Sequence, residues 1–399
     1  MLENRNIARI AIYSALALIL TACTTIALSR SGASPKSEHQ VGFPAALYAR
    51  SIPPDNPQTP AKIALGQALF VEQRLSADNL QHCEGCHNYA LGFTDQKRTS
   101  VGIDNQSGRR NAPTILNAMF NASFFWDGRA ATLEEQAKSP ILNPIEMGMK
   151  SPDEVVAKIK AMPRYREAFE RVFGREVNFD DIARALASYE RTQISFDSPF
   201  DRYMADQSDA IDESAKRGWK IFSGNGRCIA CHSWSPERPL FNDGRFHNVG
   251  ASRTEFIPSV GAALTPKATA MRADRDDSTQ LDRLATDSGM SDLGRYLVTR
   301  NPADIGAFRT PDLRNLLVTQ PYFHDGSAAT LWDVVAHFNR GGVRNPYLDP
   351  AMAPLDLAKT DEDDLVAFLA TLTSPEYAEA AKVEYQRQYQ ASHGAASAR

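Results

Sequence analysis

Two five-residue runs constrain this chain more than anything else in it: Cys83-Glu84-Gly85-Cys86-His87 and Cys228-Ile229-Ala230-Cys231-His232. Each sets two thiols three positions apart and puts an imidazole directly behind the second. Four of the five cysteines lie in these runs and the fifth, Cys23, sits near the N-terminus, so no pair is left for a disulfide. The paired cysteines of one zinc site lie within about 15–20 residues of each other, whereas roughly 140 residues separate these. A thioredoxin-like thiol pair needs no His behind it. Covalent haem attachment uses every residue: both thiols add to haem vinyl groups as thioethers, and the His reaches the iron from the same turn. The runs predict two covalently bound haem c groups, with His87 and His232 as axial ligands of the iron.

A chain of 399 residues suggests about two domains. Net charge is −4 and no long basic block occurs, which leaves no nucleic-acid footprint. At the N-terminus, Arg5 and Arg9 precede an apolar run, Ile10 to Leu20, that is too short to span a bilayer comfortably. The segment Leu20-Thr21-Ala22-Cys23 resembles the bacterial lipoprotein cleavage box, whose Cys is lipidated and becomes the first residue. Residues 1–22 are therefore expected to be a signal peptide and 23–45 a tether. Membrane contact would run through the lipid alone. The resemblance, with Thr24 rather than Asp behind the Cys, implies a periplasmic protein held at the outer membrane.

The folded part contains an internal repeat. Pro113-Thr114-Ile115-Leu116-Asn117 and Phe125-Trp126-Asp127-Gly128-Arg129-Ala130-Ala131-Thr132-Leu133 return as Pro311-Asp312-Leu313-Arg314-Asn315 and Phe323-His324-Asp325-Gly326-Ser327-Ala328-Ala329-Thr330-Leu331, at a constant offset of 198. Trp126 and His324 are thus positional equivalents. A short helical pattern leads into each haem run, ending Gly66-Gln67-Ala68-Leu69-Phe70 and Gly218-Trp219-Lys220-Ile221-Phe222. Helical spacing recurs at Val155-Ile159, Tyr165-Phe169, Ile182-Leu186, Val334-Phe338 and Leu365-Leu369, with a break at Pro163 and an N-cap expected at Thr360. Strand-like alternation is scarce. The expected fold is mainly α: two cytochrome c-like haem domains in tandem, 46–197 and 198–375, joined near 195–212. A peripheral helix or loose tail follows over 376–399.

Several further motifs accompany the haem runs: Phe93-Thr94-Asp95, Asn111-Ala112-Pro113-Thr114, Gln136 through Asn143-Pro144-Ile145-Glu146-Met147, Phe246-His247-Asn248, Leu293-Gly294-Arg295-Tyr296 and Pro321-Tyr322-Phe323-His324. Over about residues 46–372 the sequence resembles the bacterial di-haem cytochrome c peroxidases and their MauG-like relatives. The resemblance implies that the haem at Cys83, Cys86 and His87 is the peroxidatic one. The haem at Cys228, Cys231 and His232 would be the electron-transfer one. By the same resemblance Trp126 lies between the haems, Gln136 and Glu146 form the distal pair, and Pro140 lies in the distal pocket. Asn111 would be a calcium ligand beside backbone carbonyls near Asp287 and Gly289.

Those residue types suit the chemistry. Splitting peroxide needs a base for the proton of the inner oxygen and an acid for the outer one, and a carboxylate such as Glu146 can be both. Gln136 donates and accepts, so it can orient peroxide or a water. Trp126 supplies an oxidisable π-system. Read singly, Glu146 is as easily a solvated loop acid and Trp126 a core aromatic; the shared spacing tells against both.

Two departures from the family pattern matter. Where many members place a His that caps the peroxidatic iron at rest, Thr99-Ser100-Val101-Gly102 is followed here by Ile103, which cannot ligate. An open sixth site is expected, as in MauG-like members. Where a Met or Tyr ligates the second haem, this chain has Gly306, which leaves His324, Tyr322, Met290 and Met271 as candidates, or a vacancy. His247 is expected near a haem propionate or between the haems, and His337 is expected to be structural. His82 carries no assigned role. The leading function is reduction of hydrogen peroxide to water with electrons from a small periplasmic cytochrome c or cupredoxin. The alternatives are MauG-like oxidation of a protein or organic substrate, or plain electron transfer.

Overall fold

The computed structural model describes residues 40–251, 278–287 and 290–394. Among them helices dominate, and the one sheet is a two-stranded antiparallel pair, Phe246–His247 with Phe308–Arg309. No described helix is long and apolar enough to cross a membrane. Cys23 and the whole leader, Met271 and Gly289 lie outside the described residues.

Each half is organised around a crossing of two helices. In the first, Pro60–Phe70 crosses Phe179–Glu190; in the second, Glu213–Ser223 crosses Lys359–Ala370. Both crossings are made at a glycine. A Cβ on Gly66 would stand 1.9 Å from the Ala185 carbonyl oxygen, and one on Gly218 would stand 1.9 Å from that of Asp364. The glycine in each leading pattern is thus the point where two backbones touch. Behind it, Leu69 and Phe70, or Phe222, turn into a buried cluster that runs through both halves.

The repeat is visible in the backbone. Phe124 bridges Ala130 and Tyr322 bridges Ala328, enclosing Phe125 and Phe323 at φ 63° and 68°. Asn117 and Asn315 are left-handed alike, and the Thr132 and Thr330 side chains cap the helices Leu133–Leu142 and Leu331–Asn339. The break at Pro163 also appears, because Pro152–Lys160 ends before proline starts a new helix at Pro163–Phe173.

The linker expected near 195–212 is ordered: Ser198 and Asp201 form a capping box on Pro199–Met204, and Asp201 holds a buried bidentate pair with Arg314 at 2.7 and 2.8 Å. Of the two readings for the segment after 376, a helix forms over Ala378–His393. Helix Ala378–His393 buries Gln388, which accepts from the Leu331 amide at 2.7 Å and donates to the Tyr322 hydroxyl at 3.0 Å. The last helix of the second half is not capped by Thr360. It begins two residues earlier, at Lys359, with Ala358 in the cap position and its amide donating to Asp361 at 3.0 Å.

Candidate active site

The two cysteine-histidine loops share one construction. The Nδ1 of His87 meets the Phe93 carbonyl at 3.1 Å, and that of His232 meets the Phe241 carbonyl at 2.8 Å. Both phenylalanines are left-handed, at φ 57° and 52°, which turns the carbonyl back onto the ring. A ring nitrogen facing a carbonyl carries the proton, so Nε2 keeps its lone pair in each case. An axial iron ligand requires this tautomer. Burial lowers both imidazole pKa values and holds the rings neutral. The four thiols are free and half-buried; burial pushes Cys86 up to about 11 and Cys228 up to about 12.

Each loop opens on a cavity. The first, about 200 Å³, is walled by Cys83, Cys86, His87, Gln136, Pro140 and Glu146. The second, about 420 Å³, is walled by Cys228, Cys231, His232, His247, Tyr322 and His324. Asn111, Trp126 and Arg309 border both. Arg309 supplies the strongest reason to expect an occupant. It is 9% exposed, donates to Asn121 at 3.2 Å, and leaves Nε with no partner. Burial pulls its pKa down to about 10. A buried guanidinium with an idle donor lacks an anion, and a haem propionate is one. Free thiols, neutral imidazoles and this cation together fit a haem in each cavity.

In the first cavity, Glu146 sits on a tight turn after the helix Leu133–Leu142. Asn143 Nδ2 donates to its carboxylate at 2.8 Å. Burial raises its pKa from 4.5 to about 7; Arg129 opposes the rise and Asp282 adds to it. Arg129 is itself fixed by Asp127 at 3.1 Å and Asp282 at 2.6 Å, over the Phe125 ring. Gln136 faces the same cavity from the helix before the turn. The structure therefore brings the expected acid–base pair onto one wall. Trp126 donates to the Asn111 carbonyl at 2.9 Å, and the Asn111 amide donates to the His324 carbonyl at 2.7 Å. The two equivalent positions of the repeat thus meet across one residue.

The Ile103 loop is pinned down. The Ile103 amide donates to the Glu146 carbonyl at 3.0 Å, and a Cβ on Gly102 would stand 2.0 Å from the Ile145 carbonyl oxygen. The Ile103 side chain is buried against Gly148, where an added Cβ would come within 2.0 Å of it. Ser100 and Gly102 reach the cavity wall; Ile103 does not.

The ligand candidates for the second haem separate. Tyr322 lines the cavity, but its hydroxyl donates to Leu316 and accepts from Gln388. Met290 is buried in a separate cluster with Leu284 and Leu293. His324 lines the cavity, flat on the Phe308 ring at 3.6 Å, with Nε2 3.4 Å from Asp292. Met352, which sequence reasoning did not single out, borders the same space.

His247 bridges two carboxylates, Asp349 at 2.6 Å and Asp243 at 2.8 Å. Its pKa rises to about 10 under contact with Cys231 and both acids. His337 is structural: it is buried, and its Nε2 meets the Val249 carbonyl at 2.8 Å. His82 borders the first cavity with its Nδ1 unpartnered. Asn111 turns its amide to the Lys97 carbonyl at 2.9 Å.

One cavity residue was missed. Glu190, 6% exposed, borders the first cavity, and its carboxyl has no hydrogen-bond or ion-pair partner among the described residues. Burial pushes it up to about 8. The signal was present: Glu190 falls on the apolar stripe Ile182-Leu186, where an acid is out of place.

The chain is 36% identical over 366 residues to the methylamine utilization protein MauG of Methylorubrum extorquens, covering 89% of this chain and 91% of that one. This chain belongs to the di-haem cytochrome c peroxidase and MauG family. The family profile described as di-haem cytochrome c peroxidase matches residues 60–209. Cytochrome c551 peroxidase of Pseudomonas aeruginosa is 36% identical over 324 residues, with 80% of each chain covered. Among solved structures, a MauG-like protein associated with microbial copper homeostasis superposes with a TM-score of 0.67 at 29% identity, over 81% of this chain and 92% of that one. The diheme peroxidase BthA of Burkholderia thailandensis, as its Y463M variant, gives 0.64 at 25% identity, over 80% and 88%. The chain is thus a mainly α oxidoreductase of a family that carries two c-type haems.

Proposed function

We propose that the chain reduces hydrogen peroxide to water in the first cavity, drawing electrons through the second from a small periplasmic cytochrome c or cupredoxin. The observation that carries this reading is Glu146. Its carboxyl is half-buried, poised near neutrality, and shares a wall with Gln136 and the His87 loop. In this reading Cys83, Cys86 and His87 hold one haem and Cys228, Cys231 and His232 the other, and the haems supply the redox-active iron. Glu146 takes the proton from the inner oxygen of peroxide and returns it to the outer oxygen, which leaves as water. Gln136 holds the peroxide in line, and Trp126 carries electrons between the cavities. Asn143 keeps the Glu146 carboxylate aimed, and Arg129 keeps it from remaining protonated.

A second reading is favoured by the pinned Ile103 loop and by the extent of the match to MauG. In it, the same oxidising power is directed at a protein or organic substrate. Calcium at Asn111, through the Oδ1 that its amide orientation leaves over, belongs to the proposal, as does anchorage to the outer membrane through lipidated Cys23. Steady-state peroxide consumption with a reduced cytochrome donor tests the first reading. Peroxide that is left unconsumed in the presence of donor refutes it.

A further inference from the structure

The C-terminal helix Ala378–His393 carries Tyr385, Tyr389 and His393 at intervals of four, so all three lie on one face. That face packs on Trp332, whose ring centroid is 5.5 Å from Tyr385, 5.7 Å from Tyr389 and 5.5 Å from His393. Tyr389 and His393 are stacked at 4.2 Å. The cluster has an inner and an outer end. Trp332 is 2% exposed, and its neighbours Leu331, Val334 and Val335 border the second haem cavity. Tyr389 is 41% exposed. The polar groups are arranged for proton movement, since the Trp332 indole N–H donates to Asp363 at 2.7 Å and the same oxygen meets His393 at 3.1 Å.

Packing alone accounts for part of this. Aromatic rings pack together elsewhere too, as Phe200, Phe222 and Phe368 do, but those are buried and reach no solvent. A ladder of rings that begins at Trp332, whose chain neighbours line the haem cavity, and reaches solvent at Tyr389, with a carboxylate on the indole proton, offers more than adhesion.

We propose that Trp332, Tyr385, Tyr389 and His393 form a redox-active route, and that Tyr389 is a surface site at which one-electron reductants are oxidised. The inference rests on the peroxide reading above. Hydrogen peroxide is the oxidant; it takes two electrons and two protons and becomes two waters. Each electron drawn through the route leaves Trp332 for the second haem, with the indole proton shifting to Asp363. Tyr389 then gives an electron to Trp332, Asp363 returns the indole proton, and the phenolic proton of Tyr389 leaves to solvent. A reductant at the surface restores Tyr389.

The test uses oxidised holoprotein treated with hydrogen peroxide and no donor, frozen for electron paramagnetic resonance and separately digested for mass spectrometry. The expected result is an organic radical, with oxidised products concentrated at Trp332, Tyr385 and Tyr389. Tyr389→Phe keeps the ring and sits at the exposed edge, so the fold is preserved. It should remove the tyrosyl component and shift the damage inward to Trp332. Peroxide consumed with the oxidised products elsewhere, or with a spectrum unaltered by Tyr389→Phe, overturns the route and leaves the peroxidase reading standing. Peroxide that is not consumed even when a reduced cytochrome donor is added overturns both.

Discussion

Replacing Glu146 by Gln should make the protein slower and, in alkali, more stable. The carboxyl ionises near pH 4.5 in an unfolded chain and near pH 7 in the fold. A folded pKa above the unfolded one means that ionisation opposes folding. The penalty is absent below pH 4.5, grows as pH rises, and is complete above pH 7. From that difference it amounts to about 3 kcal/mol at most. Glutamine has no charge to bury, and its carbonyl can still accept the Asn143 hydrogen bond. Glu146→Gln should therefore unfold at the same temperature as the parent at pH 4 and several degrees higher at pH 8. Turnover moves the other way. Losing the acid–base group should slow peroxide reduction by about 10²–10⁴, and the parent's rise in rate through pH 7, where the carboxylate forms, should vanish. Stopped-flow peroxide consumption across pH 5–9, paired with thermal unfolding of the holoprotein at both extremes, measures both effects. Parent-like turnover in the variant, or a variant less stable than the parent at pH 8, would refute the assignment.

Purified holoprotein should carry two covalent haems, and Cys83→Ala with Cys86→Ala should leave one, as counted by pyridine haemochrome absorbance. Gly66→Ala drives a Cβ into the Ala185 carbonyl and should destabilise the fold by about 3 kcal/mol, read as a lowered denaturant midpoint with haem content retained. Because Ile103 is buried against Gly148 and has no lone pair, fully oxidised protein should show a high-spin ferric haem; a peroxide-inert, wholly low-spin spectrum would contradict this. Cys23→Ala should move the protein from the membrane fraction to the soluble periplasm, and a parent already soluble would refute lipidation.

The parts of the site that the sequence announced are local. Two thiols and a His within five residues must share a turn wherever the chain goes, and the repeat made Phe125 and Phe323 structural twins before any fold was known. Helix positions followed from apolar spacing for the same reason. Glu190 escaped because it sits among apolar residues whose pattern is read for what it buries rather than for what interrupts it. The 376–399 segment looked peripheral because its composition is polar, yet Gln388 is completely buried; an amide can be interior when Leu331 and Tyr322 supply its partners. The ligand candidates of the second haem could be thinned only in three dimensions, where Tyr322 proves already engaged and Met290 lies in another cluster.

The joint between the halves shows what sets the distance between their reactive centres. Asn117 and Asn315, equivalent in the repeat, both reach Ser195: one holds its backbone amide and carbonyl, the other its hydroxyl. Ser374, bonded to Asn315, completes the ring with its own hydroxyl 2.5 Å from that of Ser195. Four small polar side chains thus act as a gauge block, fixing the halves by contact rather than by the length of the strand between them. Extra residues spliced into the exposed stretch 205–209 should leave the rate of electron passage between the halves unchanged, whereas a single methyl added at Ser195 should alter it.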